Sequence, residues 1–362
     1  MTIRRIDEIL DKAIAVGASD IHLTNGVPPV FRVDGILIPQ EEFPINTPEL
    51  LKDYTKEVLV KERRWERHKS ELSMDASLRY GEMRFRVHTF RQSGVDACVL
   101  RLIPTEIPQF EDIGMPEVVR RFAKVRNGLV LVTGVTGSGK STTLAALIGE
   151  INKTQKKHIV TIEDPIEFVH QHNKCIINQR EVGEDVHSFA DAVGAAMRED
   201  PDILLVGEMR DLETISNAIT MAESGHLVFG TLHTKSASES VDRIIDVFPP
   251  NQQEQIRMQL ANSIAGIVSQ DLLPRKSGGR LPSVEVMVPN DAIRHLIRNP
   301  GGPNAINDNI QSTSRKTGSQ TRIQSLAKLY IAGEITREVA FNGLTNEDTE
   351  TLIEMIRVQR RG

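Results

Sequence analysis

The chain has 362 residues, 39% hydrophobic and 26% charged, with a net charge of −5; that length exceeds one ordinary core and predicts a globular protein of two domains. The acidic balance and the 4% aromatic content argue against a broadly basic, ring-lined nucleic-acid groove, which leaves a nucleic-acid motor as a lesser alternative. Cys98 and Cys175 stand too far apart for a CxxC zinc site and fit a reducing compartment, and no apolar run is long enough to span a bilayer.

In chain order, Ile6, Ile9, Leu10, Ala13 and Ile14 mark one face of an amphipathic helix. Asp7, Glu8 and Asp11 interrupt it, so it is no signal peptide. Asp20–Leu23 and Val30–Gly35 read as short strands, residues 48–70 as a charged helical region, and Ser73–Leu78, Met83–Phe90 and Ala97–Ile103 as further strands. Residues 1–103 therefore form a small α+β domain. Residues 104–115, with two prolines, acids and a glycine, read as the linker.

From residue 116 to 362 strands and helices alternate, which predicts an α/β domain with a mostly parallel sheet. Its expected strands are Leu129–Thr133, His158–Glu163, Ile203–Val206 and His226–Leu232. Its expected helices cover residues 140–152, 187–199, 211–223 and 250–269. Residues 299–320, rich in Gly, Asn, Ser and Thr, read as a mobile loop, and helices return at Ile323–Ala332 and Glu347–Arg357.

Four motifs carry the chemistry. Gly134-Val135-Thr136-Gly137-Ser138-Gly139-Lys140-Ser141-Thr142 follows an apolar strand and opens a helix, the context of a phosphate-binding loop. Its glycines let backbone N–H groups face phosphate oxygens, and the helix N-terminus adds positive potential. Lys140 reaches the β and γ phosphates of ATP and the Ser141 hydroxyl holds Mg²⁺.

Thr161-Ile-Glu163-Asp164-Pro ends a strand, where ligands bind in open α/β sheets. Glu163 and Asp164 could orient water or hold Mg²⁺ through water. Asp200-Pro-Asp-Ile-Leu-Leu-Val-Gly-Glu208 is an apolar strand closing on an acid, close to a Walker B element. Glu208 could accept the proton of the attacking water or assist Mg²⁺. The choice of base between Glu163 and Glu208 stays open. His226 and His233 bracket Leu227–Leu232; His233 falls on the nucleotide edge and could report loss of the γ phosphate, and His226 is a second candidate.

In this order the boxes at 134–142, 161–167, 200–208 and 225–233 resemble the secretion ATPases that serve type II secretion and type IV pili, with a RecA-like P-loop ATPase domain. Gly17–Leu23 and Arg32–Gly35 resemble that family's PAS-like N-terminal domain. Phe168–Val182, Gly207–Thr214 and Ala292–Arg298 are similar to its pilus-retraction branch. His295 and Asn299-Pro300 depart from that branch's pattern, and a helix there cannot run through Pro300. The four-Cys insertion common in assembly ATPases is absent, which favours retraction over pilus assembly or type II secretion.

The resemblance implies a homohexameric ring with ATP between the two domains, domain rotation on hydrolysis, and an inner-membrane pilus platform as partner. It places the protein at the cytoplasmic face of that membrane, peripherally bound. It also implies that Arg86 and Arg101, which match the family's arginine spacing, meet the γ phosphate. Ala292–Arg298, with Ile293, Leu296 and Ile297 on one helical face, is expected to transmit motion and to tolerate alanine without loss of ATPase activity.

Overall fold

The computed structural model describes residues 5–103, 106–302 and 304–359. Residues 1–4, residues 104 and 105 of the expected linker, residue 303 of the expected loop, and the last three residues lie outside the described residues. The chain forms two compact units, Met1–Glu106 with Pro165–Val169, and Ile107–Asp164 with His170–Gly362. The five residues after Asp164 therefore group with the N-terminal unit, although sequence order assigns them to the larger domain.

The N-terminal unit runs α1 (Arg5–Ala15), β1 (Asp20–Leu23), β2 (Val30–Val33), β3 (Ile36–Pro39), α2 (Pro48–Leu59), α3 (Glu62–Glu71), β4 (Ser73–Tyr80), β5 (Met83–Gln92) and β6 (Val95–Ile103). Its sheet is antiparallel in the order β3-β2-β1-β6-β5-β4. Alternation places Phe85, Val87 and Thr89 on the buried face and Arg84, Arg86 and His88 on the other. Ile6, Ile9 and Leu10 of α1 and Leu51 and Val58 of α2 share the core with Phe31, Phe85 and Leu100. Asp34-Gly35, read above as the end of a strand, is a two-residue hairpin turn with φ of 49° and 82° that returns the chain into β3. The helical region 48–70 breaks at Val60, whose φ is 59°, into α2 and α3.

The larger unit begins with α4 (Glu117–Arg120), β7 (Gly128–Thr133), α5 (Lys140–Thr154), β8 (His158–Glu163), β9 (Ile176–Glu181), α6 (Phe189–Ala196) and β10 (Ile203–Val206). It continues with α7 (Leu212–Glu223), β11 (Leu227–Leu232), α8 (Ala237–Asp246), α9 (Pro250–Ser263), β12 (Ile264–Pro274), β13 (Arg280–Met287) and α10 (Asp291–Arg298). It ends with α11 (Ala305–Thr317), α12 (Arg322–Ile331), α13 (Arg337–Phe341) and α14 (Asn346–Gln359). The sheet order is β13-β12-β7-β11-β10-β8-β9, parallel except for β13. β7, β10 and β11 are buried along their whole length, as near-continuous apolar runs in a sheet covered on both faces require.

Two sequence expectations are corrected. The helix expected over 250–269 stops at Ser263, because the β-branched run Ile264, Ile267 and Val268 pairs with β7 as a new strand. The stretch expected as a mobile loop, 299–320, contains α11. Ile306 and Ile310, one turn apart, are buried in the main core and anchor it, and Gly318 closes it with a φ of 84°.

α10 is core structure as well. Asn290 caps it through Ile293 N at 2.9 Å, and it ends at Arg298, before Pro300. Ile293 and Ile297 are buried with Leu129 and Leu131 of β7, and Leu296 packs against the same cluster. Arg294 Nη1 donates to the carbonyls of Ala261 and Asn262 at the end of α9. A truncation here therefore removes core packing. Ile297→Ala is expected to destabilise the larger unit by about 2–5 kcal/mol, read from urea denaturation; a change below about 0.5 kcal/mol would show that the helix is not held by this contact.

Candidate functional site

The C-terminal edge of the large sheet collects the predicted motifs because its strands are parallel. Thr133 of β7 pairs with Leu232 of β11, Gly230 with Val206 of β10, and Val206 with Ile162 of β8. The residues that follow these strands, Gly134, His233, Gly207-Glu208 and Glu163, therefore emerge on one edge in lateral succession. β11 stands between the strand of the phosphate loop and the strand leading to Glu208.

The loop from Gly134 to Gly139 leaves β7 and enters α5 at Lys140. Gly134 has a φ of 143°, and a Cβ there would lie 2.2 Å from the Gln270 carbonyl oxygen and 2.5 Å from Ser138 Oγ. Only glycine fits. Lys140 Nζ donates to the carbonyls of Gly134 at 2.7 Å and Val135 at 3.1 Å, which folds the ammonium back over the loop. Ser141 and Thr142 open the first turn of α5, whose free N–H groups and dipole favour an anion.

On the same sheet edge, two and three strands from the loop's strand, stand the carboxylates Glu208 and Glu163. Glu163 Oε1 accepts from Thr161 Oγ1 at 2.7 Å and from Gln179 Nε2 at 3.1 Å, so its own strand and the neighbouring β9 fix it. Glu208 follows Gly207, whose N–H donates to the Ile162 carbonyl at 2.7 Å. A Cβ on Gly207 would stand 3.0 Å from that carbonyl oxygen, and this close approach sets Glu208 next to the end of β8. Thr231 Oγ1 donates to the Gly207 carbonyl at 2.5 Å and fixes the turn from the other side.

Glu208 Oε1 lies 3.0 Å from His233 Nε2 and also meets Arg210 Nε. The Glu208 hydrogen bond raises the Arg210 pKa above its ordinary value. The arrangement can accept a proton from water and pass the state of the carboxylate to His233. Arg210, Thr231 and Gln179 were not singled out by sequence reasoning. Arg210 falls within Gly207–Thr214, two positions beyond Glu208, and that proximity is its signal in the sequence.

His226 does not join this group. It precedes β11, and its carbonyl accepts from Gly128 N at 3.0 Å at the opposite edge of the sheet. A strand of six residues separates it from His233, about 20 Å. Its Nδ1 lies near Ser224 Oγ and the Met221 carbonyl, a local cap on the end of α7. A histidine before a strand and one after it share no ligand edge.

Arg86 and Arg101 belong to the N-terminal unit. They are directly opposed on β5 and β6, so both side chains leave the same face. Arg101 Nε donates to Asp20 Oδ1 at 2.7 Å, and Arg86 Nε lies 3.8 Å from Asp75 Oδ1. Burial pushes the Asp20 carboxyl upward, but the hydrogen bonds from Arg101 and Ser19 and the Arg101 charge outweigh it and hold its pKa below the usual value. Holding Arg101 by Nε leaves its outer nitrogens to meet an anion.

Among the described residues no cluster of His, Cys, Asp and Glu is arranged to hold a metal by itself. The hard oxygens of Ser141 and Glu208 suit Mg²⁺ completed by phosphate and water rather than an all-protein cage. Among the described residues no helix is long and apolar enough to cross a membrane.

Comparison with known proteins matches residues 1–340 to the family model described as type II/IV secretion system protein. The type IV pilus retraction ATPase PilT of Pseudomonas aeruginosa is 45% identical over 339 residues, 92% of this chain and 96% of that protein. A twitching motility protein of Neisseria gonorrhoeae is 49% identical over 267 residues, 74% of this chain and 71% of that protein. The crystal structure of a PilT retraction motor with bound ADP superposes with a TM-score of 0.88 at 47% identity, covering 96% of this chain and 99% of that one.

Proposed function

The chain belongs to the type II/IV secretion system protein family, and from that membership we propose that it is the ATP-hydrolysing motor that retracts type IV pili. The observation that carries this reading is the convergence of the phosphate loop, Glu163, Glu208 and His233 on one sheet edge, in a chain nearly half identical to a retraction ATPase over its length. ATP binds through the N–H groups of Gly134–Thr142 and Lys140. Ser141, with Glu208 through water, would hold Mg²⁺, which would supply charge neutralisation at the phosphates.

Glu208 takes the proton of the attacking water. His233, hydrogen-bonded to that carboxylate, responds when the γ phosphate leaves. Arg86 and Arg101 supply the positive charge that distinguishes ATP from ADP; a nucleotide moves a protein only through different affinities for its states. The work is done by a homohexamer at the cytoplasmic face of the inner membrane, peripherally bound, acting on the pilus platform. The reading supported by the family's domain pattern is a PAS-like domain over 1–103, a linker over 104–115 and a RecA-like ATPase domain over 116–362.

Deletion of the gene tests the direction of the motor. The expected result is an excess of surface pili with loss of twitching motility. Loss of surface pili would instead mark an assembly motor.

A further inference from the structure

We infer that Gln270 is a positioning residue for ATP binding: its side-chain amide fixes the Ser138–Gly139 peptide of the phosphate loop, and through it the affinity for nucleotide. The inference rests on the reading that residues 134–142 hold the nucleotide.

Gln270 lies on β12 one residue past Ser269, the last residue of β12 paired with β7, and therefore beside Gly134 as the chain leaves the sheet. Its side chain is buried and bridges two parts of the site. Nε2 donates to the Ser138 carbonyl at 2.6 Å, and Oε1 accepts from Thr143 Oγ1 at 2.9 Å. Ser138 and Thr143 are each 1% exposed, so water cannot replace either bond without rearrangement. One residue back, Ser269 Oγ is 2.8 Å from Thr133 Oγ1, which joins the same two strands just before the loop begins.

The peptide bond is planar and trans, so the Ser138 carbonyl and the Gly139 N–H point in opposite directions. Holding the carbonyl toward β12 turns the N–H the other way, into the concave side of the loop where phosphate oxygens bind. Only an amide of this length satisfies both partners. The Ser138 carbonyl can only accept, so a donor must face it; the Thr143 hydroxyl then donates to the oxygen on the same side chain. A carboxylate offers no donor, an aliphatic side chain offers neither group, and asparagine is one methylene short. Glycine at 139 gives the amide room, since a Cβ there would stand 3.2 Å from Nε2.

Gln270→Leu in the full chain is expected to raise the Kd for a fluorescent ADP analogue about tenfold, with KM for ATP rising more than kcat falls. Gln270→Glu, nearly isosteric but with two acceptors face to face, is expected to weaken binding at least as much. Thr143→Val removes only the group that orients the amide and is expected to weaken binding about threefold. Combined with Gln270→Leu it should add nothing, because its effect passes through the amide.

Wild-type ADP affinity in folded Gln270→Leu or Gln270→Glu protein, or independent multiplication of the two substitutions, would overturn the inference. A loss of melting temperature with unchanged Kd in the folded fraction would also overturn it, since it would mark packing alone. Lys140→Ala separates the two readings: turnover retained there removes the nucleotide assignment itself, whereas turnover lost there with normal binding in the Gln270 variants removes only the positioning role.

Discussion

Lys140→Ala is expected to lower ATP turnover by about 10³-fold or more. The ammonium is the one side-chain cation that the loop itself supplies, and its present bonds to the carbonyls of Gly134 and Val135 keep it over the loop. A fixed positive charge at a transferring phosphoryl group is worth about 10³–10⁵ in rate when it acts mainly in the transition state. The fold should survive, because Lys140 is only half-buried and its partner Val135 is exposed, so that carbonyl can turn to water. Phosphate release by the purified variant is the measurement. A rate within tenfold of the unaltered protein would mean that the phosphates bind elsewhere.

The second large effect is expected at Glu208. Glu208→Gln keeps the size of the side chain and its reach to His233 but cannot take a proton. Hydrolysis should fall by about 10²–10⁴, the range for removal of a positioned base, while ATP affinity changes by less than about threefold. Glu163→Gln provides the comparison. The Glu163 oxygen already accepts from Thr161 and Gln179, so it is committed to holding β8 and β9 together at the site. Its replacement is expected to reduce turnover by about tenfold, chiefly by disturbing that frame. A larger loss at Glu163 than at Glu208 would exchange their roles.

The parts of the site that the sequence displays best are those where local pattern and chemistry coincide. The phosphate loop, Glu163 and Glu208 each close an apolar strand, and in a parallel sheet every such closure reaches the same edge. His226 shows the limit of that reasoning: it borders the same strand as His233, but strand direction puts it on the far edge. Gln270 left no local signal, because its partners Ser138 and Thr143 are more than a hundred residues away in sequence and meet it only through the pairing of β12 with β7.

Similar causes hid parts of the fold. α11 has a polar, glycine-flanked composition, and its helicity depends on burying Ile306 and Ile310 in a core built by distant strands. The change from α9 to β12 at Ser263 is marked only by Gly266, three residues on at a register shift; the strand exists because β7 offers an edge to pair with. Ala292–Arg298 shows the correct apolar face in sequence, yet the structure uses that face to close the core. Direct interference with the motor is better aimed at its exposed residues than at Ile293 or Ile297.

The proposed function requires that hydrolysis at Glu208 power withdrawal of the pilus. Its most direct test is the retraction of fluorescently labelled pili on living cells whose only copy of this gene carries Glu208→Gln, with the protein present at normal level. Extended pili that do not shorten are the expected result. Pili that retract at the normal speed and frequency would contradict it.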